Sequence, residues 1–127
     1  MAGYVVNIEE KTESNDNFRQ VLFTAPHSQL VVMSLLPNED IGMEVHPEND
    51  QFIRIESGIG QAILDGQTYE IAEGFAIVIP AGTQHNIVNS SPDQKMKLYT
   101  VYSPADHRDG TIHATKADAV ADTEDHP

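Results

Sequence analysis

Cysteine is absent from the chain, which excludes disulfide bridges, thiolate metal ligands and a cysteine nucleophile. A bound metal ion would therefore need nitrogen and oxygen ligands. Basic residues are scarce, since 7 Lys and Arg stand against 20 Asp and Glu and give a formal net charge of −13. A surface of this sign repels nucleic-acid phosphates and anionic lipids, so we expect neither nucleic acid nor a membrane as a partner.

Long apolar runs are lacking as well. No stretch reaches the roughly 18 consecutive apolar residues of a membrane-spanning helix. The N-terminal residues MAGYVVNIEEK do not show the basic start and apolar run of a signal peptide. These two absences predict a cytoplasmic protein, and the length of 127 residues predicts one domain.

The centre of the chain consists of short apolar runs, rich in β-branched residues and separated by turn residues. Asp65-Gly66 lies between two alternating runs and is typical of a two-residue hairpin turn. Evenly spaced short strands of this kind predict an all-β sandwich or closed barrel. The predicted strands are residues 18–24, 29–36, 42–46, 51–57, 60–64, 67–71, 75–79, 85–89 and 95–103.

The two ends of the chain are more polar than its centre. We expect residues 1–17 to form an N-terminal arm or edge strand, and residues 18–103 to form the barrel. Residues 104–127 read as a polar C-terminal tail with one helical turn at 116–121 and disorder in the last few residues.

The most informative stretch is GFAIVIPAGTQHNIVN, residues 74–89. A turn glycine precedes an apolar strand, a Pro-Ala-Gly turn follows, and a histidine opens the next strand. The stretch reproduces the second cupin motif, G-x(5)-P-x-G-x(2)-H-x(3)-N, and the chain therefore resembles the cupin superfamily. The fixed positions are Gly74, Pro80, Gly82, His85 and Asn89.

The first cupin motif is matched in part. Its family form is G-x(5)-H-x-H-x(3 or 4)-E-x(6)-G, in which the two histidines and the glutamate bind metal. Counting back from Gly58 puts Gln51 at the glutamate position, His46 at the second histidine and Glu44 at the first. Gly42 lies only two residues before Glu44, so the opening glycine is out of register.

A different register would pair His46 with Glu48. It leaves only two residues before Gln51, fewer than the family spacing, and Pro47 would interrupt the strand. The first register also agrees with strand geometry, because side chains two residues apart point to the same face, as Glu44 and His46 would.

The resemblance implies a double-stranded β-helix, the jelly-roll cupin barrel, with one divalent metal ion (Zn, Mn, Fe, Ni or Co). The implied metal ligands are Glu44, His46, Gln51 and His85. Gln51 is a weak neutral ligand, so it either binds the metal or hydrogen-bonds a ligand or water. No catalytic residue beyond this set is predicted.

The chain is similar to small bacterial cupins described as mannose-6-phosphate-isomerase-like. This implies a metal-dependent enzyme acting on a small oxygen-rich substrate, with isomerisation of a sugar or keto acid expected before oxygenation or decarboxylation. The alternative is a non-catalytic module that binds a sugar or another small molecule. The resemblance also implies a homodimer. The apolar segments 29–36 and 4–8 are candidate swapping or pairing edges.

Other residues receive ordinary interpretations. Arg54 and Glu56 would form a cross-strand ion pair on an exposed face, with a dimer contact as the alternative. Tyr99 and Tyr102 would pack in the core or at the rim, or reach a pocket mouth. The turn at residues 109–113 is a candidate for folding over the barrel. No functional spacing involves His27, His107, His113 or His126.

Overall fold

The computed structural model describes residues 2–125, and within them the backbone forms nine strands and two short helices. The strands are β1 (Arg19–Thr24), β2 (Gln29–Leu35), β3 (Asp50–Ser57), β4 (Ile59–Leu64), β5 (Gln67–Ala72), β6 (Ala76–Ile79), β7 (His85–Asn89), β8 (Met96–Ser103) and β9 (Ile112–His113). The helices are α1 (Ile8–Ser14) and α2 (Lys116–Ala121). Neither of these helices has the length and apolar character needed to cross a membrane.

The strands form two antiparallel sheets. Six strands join in the order β6-β3-β8-β2-β1-β9, and three join in the order β5-β4-β7. Neighbours such as β3 and β8, or β4 and β7, are distant in sequence, as the winding of a jelly roll requires. The predicted all-β jelly-roll fold is confirmed.

The core lies between the sheets and follows from the two-residue period of the strands. On β3, Gln51, Ile53 and Ile55 are buried, whereas Phe52 and Arg54 between them are half-exposed. Burying an isoleucine side chain contributes about 2 kcal/mol, so the apolar members of this face stabilise the contact between the sheets. Other fully buried members of the same core are Val31, Met33, Leu35, Met96 and Leu98.

The hairpin predicted at Asp65-Gly66 is present and joins β4 to β5. Both residues have positive φ values, 47° and 84°, as a type I′ turn requires. The two strands then pair without a break from Leu64 opposite Gln67 to Ile59 opposite Ala72.

Residues 42–46, predicted as a strand, do not form one, and this prediction is wrong. An isolated bridge pairs Glu44 with His85 through two backbone hydrogen bonds of 2.8 and 2.9 Å. Gly42 has a φ of 109° and Pro47 has no N–H, so a regular ladder cannot extend to either side. Together with a second isolated bridge, between Asp40 and Val88, the first one brings Glu44 beside His85.

Residues 104–125, predicted as a polar tail, lie against the barrel. Strand β9 adds to the six-stranded sheet by pairing with β1, Arg19 opposite His113. Helix α2 follows with a capping box formed by Thr115 and Asp118. Asp125, near the end where we expected disorder, is only 3% exposed. Residues 126 and 127 lie outside the described residues.

The exposed edges differ from those predicted. Strand β2 lies between β1 and β8, so the prediction that residues 29–36 form a pairing edge is wrong. In the N-terminal segment, residues 2–7 form no strand, and Tyr4 stacks on Phe23 with 5.4 Å between ring centroids.

The outer face of the six-stranded sheet has one end covered by a helix and a second end where Tyr4 stacks on Phe23. Helix α1 packs across β2, β3 and β8 and covers the first. The second carries apolar side chains that stand in register across five strands, and we call it the outer apolar row. Its members are Phe23, Leu30, Val101, Phe52 and Val78.

Candidate metal centre

Three of the four predicted ligands meet at one end of the barrel. One ligand atom from each of Glu44, His46 and His85 lies within 4.8 Å of the others. The backbone bridge places Glu44 beside His85, and the rings of His46 and His85 have centroids 5.1 Å apart. Both histidines are buried and Glu44 is half-buried. Two imidazoles and a carboxylate at this separation form a suitable partial coordination shell for a divalent metal.

His46 lies between two carboxylates. Its Nε2 is 2.8 Å from Oε2 of Glu44, but not at a hydrogen-bonding angle, and this buried nitrogen has no hydrogen-bond partner among residues 2–125. Its Nδ1 is 3.3 Å from Oδ1 of Asp106. Burial alone would lower the pKa of His46, but Asp106 and Glu44 outweigh it and raise that pKa to about 9.

His85 is held in one tautomer. Its Nδ1 lies 2.9 Å from the backbone carbonyl oxygen of Thr83. A carbonyl oxygen only accepts hydrogen bonds, so Nδ1 carries the hydrogen, and the lone pair of Nε2 remains for another ligand. Metal-binding histidines commonly use one ring nitrogen in this way while the other binds the ion.

Gln51 points toward the interior from β3, as strand parity predicts. Its side-chain nitrogen donates to Oγ1 of Thr100 at 3.0 Å, which fixes the direction of the amide. Its Oε1 is buried and accepts no hydrogen bond within the described part of the chain. Gln51 stands opposite Tyr102 in the β3–β8 pairing, and the Tyr102 ring contacts the His46 ring edge-on at 5.7 Å. The oxygen is thus available to a metal ion or a bound ligand.

The carboxylate of Glu44 is ionised despite its partial burial. Burial raises its pKa, but the contact with His46 and the nearby charge of Arg19 together lower it below the usual value. Glu44 therefore presents a charged oxygen to the site.

A cleft leads from this group of side chains to solvent. It encloses about 420 Å³ and is lined by Glu44, Val45, His46, Pro47 and Asp106. A second, smaller cleft of about 170 Å³ lies on the other side of Glu44, between the barrel and α2. A small molecule could therefore approach the ligand group from outside the barrel.

Asp106 and His107 belong to this region, and our sequence analysis did not identify them. His107 is buried, with Nδ1 2.7 Å from Oδ2 of Asp125 and Nε2 3.2 Å from the hydroxyl of Tyr102. Burial, assisted by the nearby charge of Arg19, lowers the pKa of His107 to about 4. The one available signal was position, since both residues follow directly after the last long strand, where that strand reaches the mouth of the barrel.

The neutral imidazole of His107 forms hydrogen bonds with Tyr102 and Asp125. Burial raises the pKa of Tyr102 far above its usual value, so the Tyr102 hydroxyl keeps its proton and donates to Nε2 of His107. The Nδ1–H of His107 donates to Asp125. Tyr102 is therefore a core residue, which is one of the roles predicted for it.

A second group of possible ligands consists of His113, Asp122 and Asp125. The guanidinium of Arg19 occupies it, with Nη1 3.4 Å from Nδ1 of His113 and 3.9 Å from Oδ2 of Asp125. The other nitrogen of His113 lies 2.9 Å from Asp122. Both ring nitrogens are used and a fixed cation is present, so this group acts as a polar lock on the C-terminal segment.

The remaining sequence interpretations have simple outcomes. Arg54 and Glu56 form an ion pair of 3.8 Å, but along β3 rather than across strands, and Glu56 is buried beside a bulge. His27 is exposed, as an ordinary surface histidine would be. His107 and His113 are not ordinary, because both are buried within the network described above. His126 lies outside the described residues.

Comparisons with known proteins agree with this fold. Residues 31–102 match the family model for the cupin domain, and the chain belongs to the cupin family. The structure is similar to that of BH2720 from Bacillus halodurans, with a TM-score of 0.93 and 42% identity over 95% of this chain and 96% of that one. That likeness confirms the double-stranded β-helix.

Two curated relatives extend the family assignment. Uncharacterized protein L612 of Acanthamoeba polyphaga mimivirus is 55% identical over 113 residues, which cover 86% of this chain and 70% of that protein. Uncharacterized protein YrkC of Bacillus subtilis is 46% identical over 124 residues, which cover 93% of this chain and 66% of that protein. This chain thus spans about two thirds of the length of each, and neither name states an activity.

Proposed function

We propose that this cupin binds one divalent metal ion through Glu44, His46 and His85, with the Gln51 oxygen as a fourth ligand or as an acceptor for a bound molecule. The observation that supports the proposal is the convergence of three ligand atoms within 4.8 Å. Two buried atoms of the predicted ligands, Nε2 of His46 and Oε1 of Gln51, have no hydrogen-bond partner in residues 2–125. Buried polar atoms are costly when unpaired, so a ligand that accepts their lone pairs fits the site.

We further propose that the site is catalytic and acts on a small oxygen-rich substrate, with isomerisation of a sugar or keto acid as the first candidate reaction. A bound divalent ion would supply a Lewis acid that polarises a substrate oxygen. The chain itself supplies the cleft of about 420 Å³ that admits the substrate, and Glu44 as a carboxylate able to accept a proton there. The buried rings of His46 and Tyr102 pack against each other edge to face on the inner side.

The alternative function is a non-catalytic module that captures a sugar or another small molecule. It is favoured by the composition of the cleft, whose lining offers two carboxylates and one imidazole but no hydroxyl or amine nucleophile. Turnover of candidate sugars or keto acids by the metal-loaded protein would separate the two functions, because a binding module gives saturable binding with no product.

The metal proposal is tested by elemental analysis of untagged protein. We expect one equivalent of a divalent transition metal in the wild type and a loss of at least tenfold in the His46→Ala, His85→Ala double variant, since two of the ligands are gone. His27→Ala is the matched control, because this histidine is exposed and is not one of the proposed ligands. Equal metal in the wild type and the double variant would refute the site.

We also propose a homodimer formed through the outer apolar row. With a net charge of −13, the negatively charged surface of one chain repels that of a second copy. The outer apolar row contains no charged residue, so two copies can pair through it. Light scattering should give the mass of two chains for the wild type and of one chain for Phe52→Glu. A monomeric wild type would contradict this assembly.

A further inference from the structure

We propose that Asp106 is a positioning residue that holds the His46 imidazole in the orientation needed to bind metal. This inference rests on the proposed metal site. Asp106 lies outside both cupin motifs and follows the last long strand, so the C-terminal segment would complete a site that the barrel begins.

The geometry assigns the two nitrogens of His46 to different partners. Nε2 points toward Glu44, with 2.8 Å to Oε2, whereas Nδ1 points away from it and lies 3.3 Å from Oδ1 of Asp106. A carboxylate at Nδ1 keeps the hydrogen on that nitrogen and leaves the Nε2 lone pair for the ion. It also makes the imidazole a stronger electron donor.

Asp106 is itself fixed in place by a dedicated set of hydrogen bonds. The buried Gln29 accepts from the backbone N–H groups of Asp106 and His107, at 3.2 and 3.1 Å, and donates to the carbonyl of His107 at 2.8 Å. Asn49 donates to the carbonyls of Pro104 and Ala105 on the other side. Polar side chains from two separate segments therefore determine where the Asp106 carboxylate lies.

Charge gives a second reason for this assignment. Among the four candidate ligands only Glu44 carries a formal negative charge, because the other three are neutral when they bind metal. The Asp106 side chain is only 10% exposed and lies against one of those neutral ligands. Together the two carboxylates match the charge of a divalent cation, which lowers the cost of burying the ion.

The test is a titration of metal-free protein with Zn²⁺ in competition with a chelator. Asp106→Ala should bind Zn²⁺ roughly 10- to 100-fold more weakly than the wild type, as expected for loss of a carboxylate behind a metal-bound histidine. Asp106→Asn should lie between them, because its amide oxygen can still accept from Nδ1–H but carries no charge. In the zinc-loaded wild type, nitrogen NMR should show the hydrogen of His46 on Nδ1.

Asp125→Asn is the matched control. Asp125 is also a buried carboxylate of the C-terminal segment paired with a histidine, His107, at 2.7 Å. The control should leave zinc affinity within about twofold of the wild type, and urea unfolding of the metal-free proteins shows whether each variant folds.

The outcomes separate the two proposals. Wild-type affinity in Asp106→Ala would overturn the positioning role and leave the metal site standing. An equal loss in Asp125→Asn would also overturn it, because the effect would then come from general loosening of the segment. Absence of zinc binding by the wild type would overturn both.

Discussion

The protein contains two groups of histidines and carboxylates that look alike by distance but differ in chemistry. In the first, Glu44, His46 and His85 bring ligand atoms within 4.8 Å, and so do His113, Asp122 and Asp125 in the second. In the first group Nε2 of His46 has no hydrogen-bond partner among the described residues. In the second, both nitrogens of His113 are in contact with other polar groups.

The difference lies in the cation that each group is built to hold. Arg19 supplies a permanent positive charge to the second group, with Nη1 3.9 Å from Asp125, so its carboxylates are already compensated. At the first group Arg19 makes no ion pair among the described residues and acts only through its nearby charge, which helps to lower the pKa of Glu44, and no arginine or lysine lines the larger cleft there. A cluster of possible ligands is therefore a better metal candidate where a buried ligand nitrogen has no hydrogen-bond partner and no arginine forms an ion pair with its carboxylate.

The largest expected effect on stability concerns the second group, in which Arg19 lies beside Asp125. Arg19→Met should lower the free energy of unfolding by about 3 kcal/mol, because it leaves Asp125 buried without its cation. Urea unfolding of the metal-free protein measures this loss. The protein should still bind its metal, since Arg19 contacts the second group and reaches Glu44 only through its nearby charge.

Arg108→Met is the control for that experiment. Arg108 pairs with Glu124 at 3.6 Å, but both side chains are more than half exposed. Exposed pairs contribute little, so we expect a change within about 0.5 kcal/mol. If Arg19→Met is as mild as this control, or if it removes the metal, the separation between the two groups is wrong.

A smaller effect concerns pH, because His107 and His46 have pKa values displaced in opposite directions. Burial lowers the pKa of His107 from 6.5 to about 4, so the unfolded chain binds a proton more readily and stability falls as pH drops from 6.5 to 4. The carboxylates beside His46 raise its pKa from 6.5 to about 9. Its contribution is complete below pH 6.5 and is lost as pH rises through 9.

Metal-free protein should therefore be most stable near pH 6.5, with losses on the order of 2 kcal/mol on each side. The measurement is urea unfolding from pH 4 to 9 in the presence of a chelator. His107→Gln should flatten the acidic side only, and His46→Gln the alkaline side only. A wild-type curve that rises continuously from pH 6.5 to 9 would contradict the assignment for His46.

Sequence alone could predict the parts of the site that depend on local rules. The motif from Gly74 to Asn89 predicts the turn before His85, and strand parity predicts that Gln51 faces the core beside Ile53. Counting back from Gly58 also identifies Glu44 and His46, whose ligand atoms lie within 4.8 Å of one from His85. These features depend on spacing within one segment, and spacing is visible in a sequence.

Other features depend on contacts between distant segments. Residues 42–46 lie beside β7 because Glu44 forms a bridge with His85. The residue pattern of this segment does not reveal that contact. Asp106 and His107 gain their role from Gln29, 77 and 78 residues earlier in the chain. The polar composition of residues 104–125 indicates a solvated tail, but Arg19 provides the buried partner that draws Asp125 inside.

The most direct test of this account is the position of a bound metal in crystals of the chain soaked with Co²⁺ and measured at the cobalt absorption edge. We predict one anomalous peak at bonding distance, roughly 2.0–2.2 Å, from Glu44, His46 and His85. A peak bound instead by His113, Asp122 and Asp125, or cobalt that contacts neither His46 nor His85, would contradict it.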